Sequence, residues 1–427
     1  METTTFTIEE ALASDLQEFV SRHRTDDVRR LALSAPRGAA FNVTLALEQI
    51  AGWQTARRKL PSWAAREGVV YPPHLSMEQC SSEATARYKA TVVERLVAGR
   101  DRALTSMADL TGGLGVDFSF LAPLFGRATY VERNAWLCRM ARHNLPLLGL
   151  PEAEVAEVAE GGAEERLEAM EPVTLIFLDP ARRDSHGGKT VAMADCSPDV
   201  ALLRPLLLRK AEVVVVKLSP MLDWHKAVAD MEGSVAEVHI VGTGGECKEL
   251  LLVADGGRHR EVAVTCWADG RTFSFTADGS EGALPPVAPA GELLAVGEES
   301  GGTADDASAL CLCEPDATLM KAGCFGAIAA RYGLRAVGRN SHLFVGRDPG
   351  EAFPGRRFRL VAFTTMNRRS LRAALGGVER ANVAVRNLPL SADALRRKLG
   401  LKDGGDCYVF GTTLADGTHA VAVCKRF

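Results

Sequence analysis

The chain has 427 residues, 47 % hydrophobic and 24 % charged, with a formal net charge of −4. That length suits two to four domains and a sizeable core, and the composition excludes a disordered chain, a collagen-like fibre and a small disulfide scaffold. The small net charge hides an asymmetry: residues 1–150 carry 18 Lys+Arg against 16 Asp+Glu, residues 151–320 carry 13 against 31, and residues 321–427 carry 19 against 7. A basic last quarter on a mildly acidic chain points to a polyanion partner for that part, weighed evenly against Arg-rich helices that simply solvate a surface.

Residues 1–80 show helical periodicity, with Phe41, Leu45, Leu47 and Ile50 recurring ahead of the loop-like Tyr71-Pro72-Pro73-His74, and predict a small all-α domain. Ser81-Ser82-Glu83 reads as a cap for a helix over Ala84–Val97. From Leu104 the pattern changes to short Val/Ile/Leu runs alternating with helices. Strands are predicted at 104–110, 128–131, 155–158, 173–178, 213–218, 235–241 and 249–253, with helices at 116–124, 135–147, 202–209 and 222–231. Such a rhythm argues for a parallel sheet covered on both faces over 81–256. The last two strands are joined by only Gly242–Lys248, too short for a crossover, so they form an antiparallel pair.

Beyond residue 257 the rhythm changes again. A hairpin turns at Asp269-Gly270, and a Gly-, Ala-, Pro- and acid-rich loop spans 278–308. A strand at 310–313, a helix at 317–332 and a strand near 342–345 follow. A last unit from about 351 holds a strand at 357–363, a helix at 368–375, a strand at 381–385, a helix at 392–399, and strands at 406–412 and 419–424. No run of about 18 uncharged apolar residues spans a membrane, and the first residues lack the pattern of a signal peptide. The ten cysteines form no CxxC pair, which suits reduced thiols in a cytoplasmic chain with no metal site.

Asp109-Leu110-Thr111-Gly112-Gly113-Leu114-Gly115 ends the first strand of the sheet and opens a helix, where open α/β sheets bind ligands. The spacing is neither GxGxxG nor that of a P-loop. An acid before the glycines and another after the second strand, Glu132, fit S-adenosyl-L-methionine: Asp109 facing its charged amino-acid end, Glu132 its ribose hydroxyls. Glu132 as a merely exposed strand-end residue is the alternative.

Residues 80–255 resemble a class I S-adenosylmethionine-dependent methyltransferase. Asp109–Gly115, Tyr130-Val131-Glu132-Arg133-Asn134, Asp179-Pro180-Ala181-Arg182-Arg183-Asp184 and Lys217-Leu218-Ser219-Pro220 resemble the bacterial members that carry a THUMP-like C-terminal domain. Tyr71–Lys89, Glu314-Pro315-Asp316-Ala317 and Arg386-Asn387-Leu388-Pro389-Leu390 extend the resemblance over most of the chain. The fold class it implies is α/β: a Rossmann-like sheet of seven strands, the last antiparallel, over 81–256, with an N-terminal helical domain (1–80) and two small α+β domains, ferredoxin-like (257–350) and THUMP-like (351–427). THUMP domains accompany RNA-modifying enzymes, so the resemblance implies an RNA partner at the basic C-terminal domain. In relatives an acid after the third strand holds the adenine amino group; Glu160, in Glu160-Gly161-Gly162-Ala163, takes that place from a shifted position, or a backbone group does.

The catalytic candidates stand at strand ends. Asp179, with Pro180, ends the fourth strand, and its carboxylate suits alignment of an acceptor amine or hydroxyl; a loop cap is the bland alternative. Arg182 and Arg183 suit a phosphate or carboxylate clamp, against pairing with Asp184 and Asp195. Arg182 fills the place of the aromatic that stacks on a flipped base in exocyclic amino methylation, which weakens an adenine or guanine amino target. Lys217 closes the fifth strand. With Lys89, Asp179 and Glu246 or Glu249 it resembles the Lys-Asp-Lys-Glu set of ribose 2′-O-methyltransferases, in which a lysine of lowered pKa helps deprotonate the hydroxyl; a lysine snorkelling to a carboxylate is weighed higher. Cys196 reads as a buried bystander, and His186 and His225 are single histidines without metal partners. The expected function is methyl transfer to a structured RNA, with Arg356, Arg357, Arg368, Arg369, Arg372, Arg396, Arg397 and Lys398 on phosphates. A protein or small-molecule acceptor, and a non-catalytic RNA-binding protein, are the alternatives.

Overall fold

A computed structural model describes residues 6–34, 38–150, 156–182, 192–279, 281–297 and 310–427. The chain divides into two units, residues 1–238 with 249–259, and residues 239–248 with 260–427.

The first unit begins with helices. The longer ones are α1 (Ser14–His23) and α2 (Val43–Lys59), the latter started by Asn42, whose side chain accepts from Leu45 N. Helix α3 (Glu83–Leu96) is capped by Ser82, which accepts from Thr85 N. The sheet follows: β1 (Ser106–Asp109), α4 (Val116–Leu121), β2 (Arg127–Glu132), α5 (Ala135–Leu147), β3 (Ala156–Glu160), β4 (Val173–Leu178), α6 (Val200–Lys210), β5 (Ala211–Leu218), α7 (Trp224–Asp230), β6 (Val235–Thr243) and β7 (Glu246–Asp255). Within a sheet of nine strands these seven run β3-β2-β1-β4-β5-β7-β6, and the hairpin that follows adds the other two beyond β6. The pairs β1–β2, β1–β4, β2–β3 and β4–β5 are parallel, and β7 lies antiparallel to β5. Strand order therefore reverses between β1 and β4, and the crevice beyond their carboxyl ends is the topological switch point where such sheets take ligands.

Several elements differ from their sequence reading for local reasons. Strand β1 is shorter than expected, because Arg102–Leu104 form a 3-10 turn that Asp101 caps through Ala103 N. Helix α4 tightens into a 3-10 turn over Ala122–Leu124, where Pro123 has no N–H to continue the α ladder. The first residue of the expected strand 155–158 lies outside the described residues, and β3 runs on to Glu160. The N-terminal helices pack within the first unit: Phe6, Leu16, Leu45 and Ala46 share a core with Trp136 and Met140 of α5, and the Trp136 indole donates to Phe6 O at 2.7 Å.

The second unit opens with the hairpin β8 (Val262–Ala268) and β9 (Arg271–Ala277), turning at Asp269 and Gly270, both at positive φ. The expected loop contains a helix, α8 (Ala290–Ala295); residues 280 and 298–309 of it lie outside the described residues. After β10 (Cys311–Pro315), the helix expected over 317–332 is two, α9 (Ala317–Ala322) and α10 (Phe325–Tyr332), because Gly323 takes φ +70° and ends the first. Then come β11 (Arg335–Ala336), β12 (Phe344–Gly346), β13 (Gly355–Thr365), α11 (Arg368–Leu375), β14 (Asn382–Arg386), α12 (Ala392–Leu399), β15 (Cys407–Thr413) and β16 (His419–Arg426). These strands form one sheet, β11-β12-β10-β13-β16-β15-β14.

The two small domains expected here thus share a sheet: β10 and β13 pair antiparallel from Cys311↔Arg359 to Pro315↔Gly355. The sheet supports two separate cores. Leu312, Val345, Phe358, Phe410 and Cys424 belong to one; Leu371, Leu375, Leu395, Val409 and Val423 belong to the other and hold α11 and α12. Cys311 and Cys313 are two apart on β10, so their thiols share a face, 3.4 Å apart, and all ten cysteines are free thiols. Residues 355–427 expressed alone would expose the β13 edge and half of a core. The expected outcome is a poorly dispersed amide NMR spectrum or aggregation for 355–427, and a dispersed spectrum for 260–427.

Candidate functional site

Two loops flank the switch point. The first follows β1. Gly112 approaches β2 so closely that a Cβ there would stand 2.2 Å from the Tyr130 ring, and Tyr130 in turn donates its hydroxyl to Gly113 O at 2.5 Å. Gly113 (φ +56°) and Gly115 (φ +77°) give the loop its left-handed turns. Gly113 N donates to Glu132 Oε2 at 3.0 Å, and Glu132 Oε1 accepts from Asn134 N at 2.8 Å, so this half-buried carboxylate is fixed against the loop. Glu160 is exposed at the paired position at the end of β3. Arg133 is also exposed.

Asp109 is 1 % exposed. Its Oδ1 accepts from Thr111 N at 3.0 Å and from the Thr111 hydroxyl at 3.4 Å. Burial, with Asp117 and Asp179 adding their charge, pushes its carboxyl up to about 8 against the Thr111 hydrogen bonds. Thr111 also reaches the second loop: its Oγ1 accepts from Asp179 N at 2.6 Å. One threonine thereby ties the glycine loop to the end of β4.

Asp179 stands at that end, with Pro180 buried behind it. Lys217 Nζ on β5 donates to Asp179 Oδ2 at 2.5 Å and lies 3.8 Å from Asp117 Oδ2. Behind them is a buried network. Lys89 Nζ, from α3, lies 3.1 Å from Asp117 Oδ1 and 2.5 Å from Glu249 Oε1 on β7, and the Ser81 hydroxyl donates to Asp117 Oδ2 at 2.8 Å. The Lys89 side chain is fully buried. Burial alone would lower the Lys217 pKa, but Asp179, Asp117 and Glu249 together hold its ammonium well above the usual lysine range. Burial likewise acts against the Asp117 carboxylate, but Lys89 and Lys217 hold its pKa below the usual value, whereas burial raises that of Glu249.

The structure therefore brings together Lys89, Asp179, Lys217 and Glu249. Glu246 is exposed and pairs with Lys248. The lowered lysine pKa that the resemblance implies is not what the structure gives: Asp179, Asp117 and Glu249 outweigh burial and raise that of Lys217. Sequence reasoning missed Asp117, which bridges the two lysines. A lone acid among the apolar residues Val116, Phe118 and Leu121 of α4 was the available signal. Arg182 is described in its backbone, which pairs with Cys196 in a two-residue ladder; its side chain, and the whole of Arg183, Asp184 and His186, lie outside the described residues. Cys196 is buried. Among the described residues no three His, Cys, Asp or Glu are grouped to hold a metal ion, and no helix is long and apolar enough to cross a membrane.

The crevice fits S-adenosylmethionine by its chemistry. Gly113 leaves the loop backbone open, with only Thr111 O within 4 Å of where a Cβ would stand, and the buried Asp109 with Asp179 nearby suits a ligand bearing a sulfonium and an ammonium. Comparison with known proteins agrees. A THUMP domain-like family model matches residues 355–426, and a ferredoxin-like domain model matches 312–354. A protein of Porphyromonas gingivalis W83 described as a methyltransferase is 30 % identical, with 99 % of this chain and all of that one covered at a TM-score of 0.80. Relatives in two strains of Mycobacterium tuberculosis, described as uncharacterized S-adenosylmethionine-dependent methyltransferases, are 27 % identical over 363 residues, which cover 82 % of this chain and 87 % of theirs.

Two outcomes are expected. Between 3.8 and about 8 the folded chain holds a proton on Asp109 that the unfolded chain has released, so stability falls as pH rises across that window. A cation bound beside Asp109 favours its ionised form, so calorimetry should show S-adenosylmethionine binding with proton release and tightening from pH 6 to 8.5; Asp109→Asn should abolish both trends. Lys89→Met takes from the buried Asp117 and Glu249 their nearest cation and should cost about 3–5 kcal/mol in urea unfolding.

Proposed function

The chain belongs to the class I S-adenosylmethionine-dependent methyltransferases that carry ferredoxin-like and THUMP-like C-terminal segments, and from that premise we propose that it methylates a nitrogen of a base in a structured RNA. The observation that carries the reading is the Asp179 carboxylate held at 2.5 Å by the Lys217 ammonium. S-adenosylmethionine, when bound, supplies an electrophilic methyl group on a sulfonium, which leaves as a neutral thioether. Asp109, Thr111, Gly112, Gly113, Gly115, Glu132, Arg133 and Glu160 are the residues that would hold it, with Asp179 near its charged end.

Asp179 accepts a hydrogen bond from the acceptor N–H and aims the nitrogen lone pair along the line of attack. Once the N–C bond has formed, the surplus proton passes to Asp179 or to water. Lys217 fixes the carboxylate's orientation, and Thr111 fixes its backbone to the glycine loop. The raised Lys217 pKa favours a base nitrogen over a ribose hydroxyl as the acceptor.

The RNA partner rests on the second unit. Helices α11 and α12 are held by the same core, and their exposed Arg368, Arg369, Arg372, Arg397 and Lys398 make no ion pair among the described residues. Three of the eight cations expected to meet phosphates are engaged instead: Arg356 with Glu314, Arg357 with Asp348, and Arg396 with Asp393 and Asp403.

Asp179→Ala should abolish methyl transfer and leave cofactor affinity within a few-fold. Mass spectrometry of RNA nucleosides from cells with and without the gene should show one base-methylated nucleoside missing; loss of a ribose-methylated nucleoside would refute the nitrogen acceptor, and unchanged RNA would refute RNA. Replacing the five free cations with Gln should lower the slope of log affinity against log salt by roughly 4.

A further inference from the structure

The second unit holds a cavity partly open to solvent. Its lining includes Phe325 at the start of α10, His342, Phe344 of β12, Arg339 and the exposed Leu284, and no carboxylate is among its described lining residues. The Phe325 and His342 rings are already stacked, with centroids 4.8 Å apart and planes 18° from parallel. Phe344 lies beside Phe325 at 6.3 Å.

His342 is held there by its backbone. It takes φ +52°, in the left-handed region that residues other than glycine rarely enter. A buried Ser341 hydroxyl fixes the turn: it accepts from Gly338 N at 3.1 Å and from Leu343 N at 3.3 Å, and donates to Gly338 O at 2.9 Å. Such imposed conformations gather at ligand sites. Burial, and then the charge of Arg386, lower the His342 pKa, so the ring is presented neutral. Arg386 and Arg356 are both anchored on the buried Glu314. The segments Glu314–Ala317 and Arg386–Leu390, singled out in the sequence but without a role at the methyl-transfer site, are thus joined by one carboxylate. Each guanidinium keeps N–H donors to spare.

We infer that the cavity is a nucleobase-stacking subsite: one unpaired nucleotide of the RNA substrate lays its base against the Phe325–His342 stack, and Arg339 takes its phosphate. The inference rests on the RNA reading above. Stacked rings with a neighbouring arginine are the recurring means of holding single-stranded bases without reading their sequence.

The test uses the full chain. His342→Asn removes the ring while keeping a residue that tolerates the left-handed turn, Phe325→Leu keeps apolar bulk without a π face, and Arg339→Gln removes one cation. Wild-type affinity for S-adenosylmethionine serves as the folding check. Each ring variant should weaken binding of a fluorescein-labelled single-stranded RNA octamer by roughly 5- to 150-fold. Each should also raise KM for RNA extracted from cells lacking the protein. Arg339→Gln should lower the salt slope by about one. If wild type methylates that RNA and the ring variants bind and methylate it equally well, the subsite is refuted and the RNA reading stands. If wild type neither binds nor methylates RNA, the RNA reading falls and the subsite with it.

Discussion

A lysine with its side chain fully out of water can persist only if carboxylates surround it, and Lys89 imposes that constraint on the first unit. Its partners come from three separate places: Asp117 on the helix after the glycine loop, Glu249 on the antiparallel strand and Ser81 ahead of its own helix. Asp117 passes the constraint to Lys217, and Lys217 passes it to Asp179. The orientation of the half-exposed carboxylate at the crevice thereby depends on an ion pair buried behind the sheet. Removing any inner member leaves an uncompensated charge in a dry place, so the set stands or fails together.

Thr111 completes the coupling from the other side. Its backbone and hydroxyl hold Asp109, and the same hydroxyl accepts the Asp179 amide. The Asp109 carboxylate and the Asp179 backbone are therefore two hydrogen bonds apart. A methyl donor has to meet its acceptor within a few tenths of an ångström of the right line, and a shared anchor limits how far the two loops can drift. Glu314 has a comparable role in the second unit, where one buried carboxylate anchors two arginines from different strands. In both units a buried acid fixes exposed chemistry.

Much of this was legible along the chain. Helices α5, α11 and α12 were read to the residue because their apolar faces, caps and terminators agree with one another. The parallel strands were legible as continuous Val/Ile/Leu runs, and the glycine loop by its place after the first of them. Less visible were features set by a single residue: Pro123 tightening the end of α4, Gly323 splitting a helix, and α8 inside a Gly- and Pro-rich stretch. At the site, Lys89, Asp179 and Lys217, with Glu246 or Glu249 as the fourth member, could be gathered because they resemble the Lys-Asp-Lys-Glu set; the choice of Glu249 came from the structure. Asp117 escaped because an acid in the first turn of a helix has an ordinary explanation in the helix dipole.

The sequence by itself determined the alternation of strands and helices, the position of the crevice and the basic character of the last quarter, since these follow from periodicity, local turn chemistry and composition; the family came from the resemblance of its motifs. Tertiary structure alone decided that the two C-terminal segments share one sheet, that Lys217 is held charged, and which arginines remain free. Those outcomes depend on pairings between residues tens or hundreds of positions apart, and on burial that changes the free energy of a charge. Neither is a property of a residue and its neighbours in the chain.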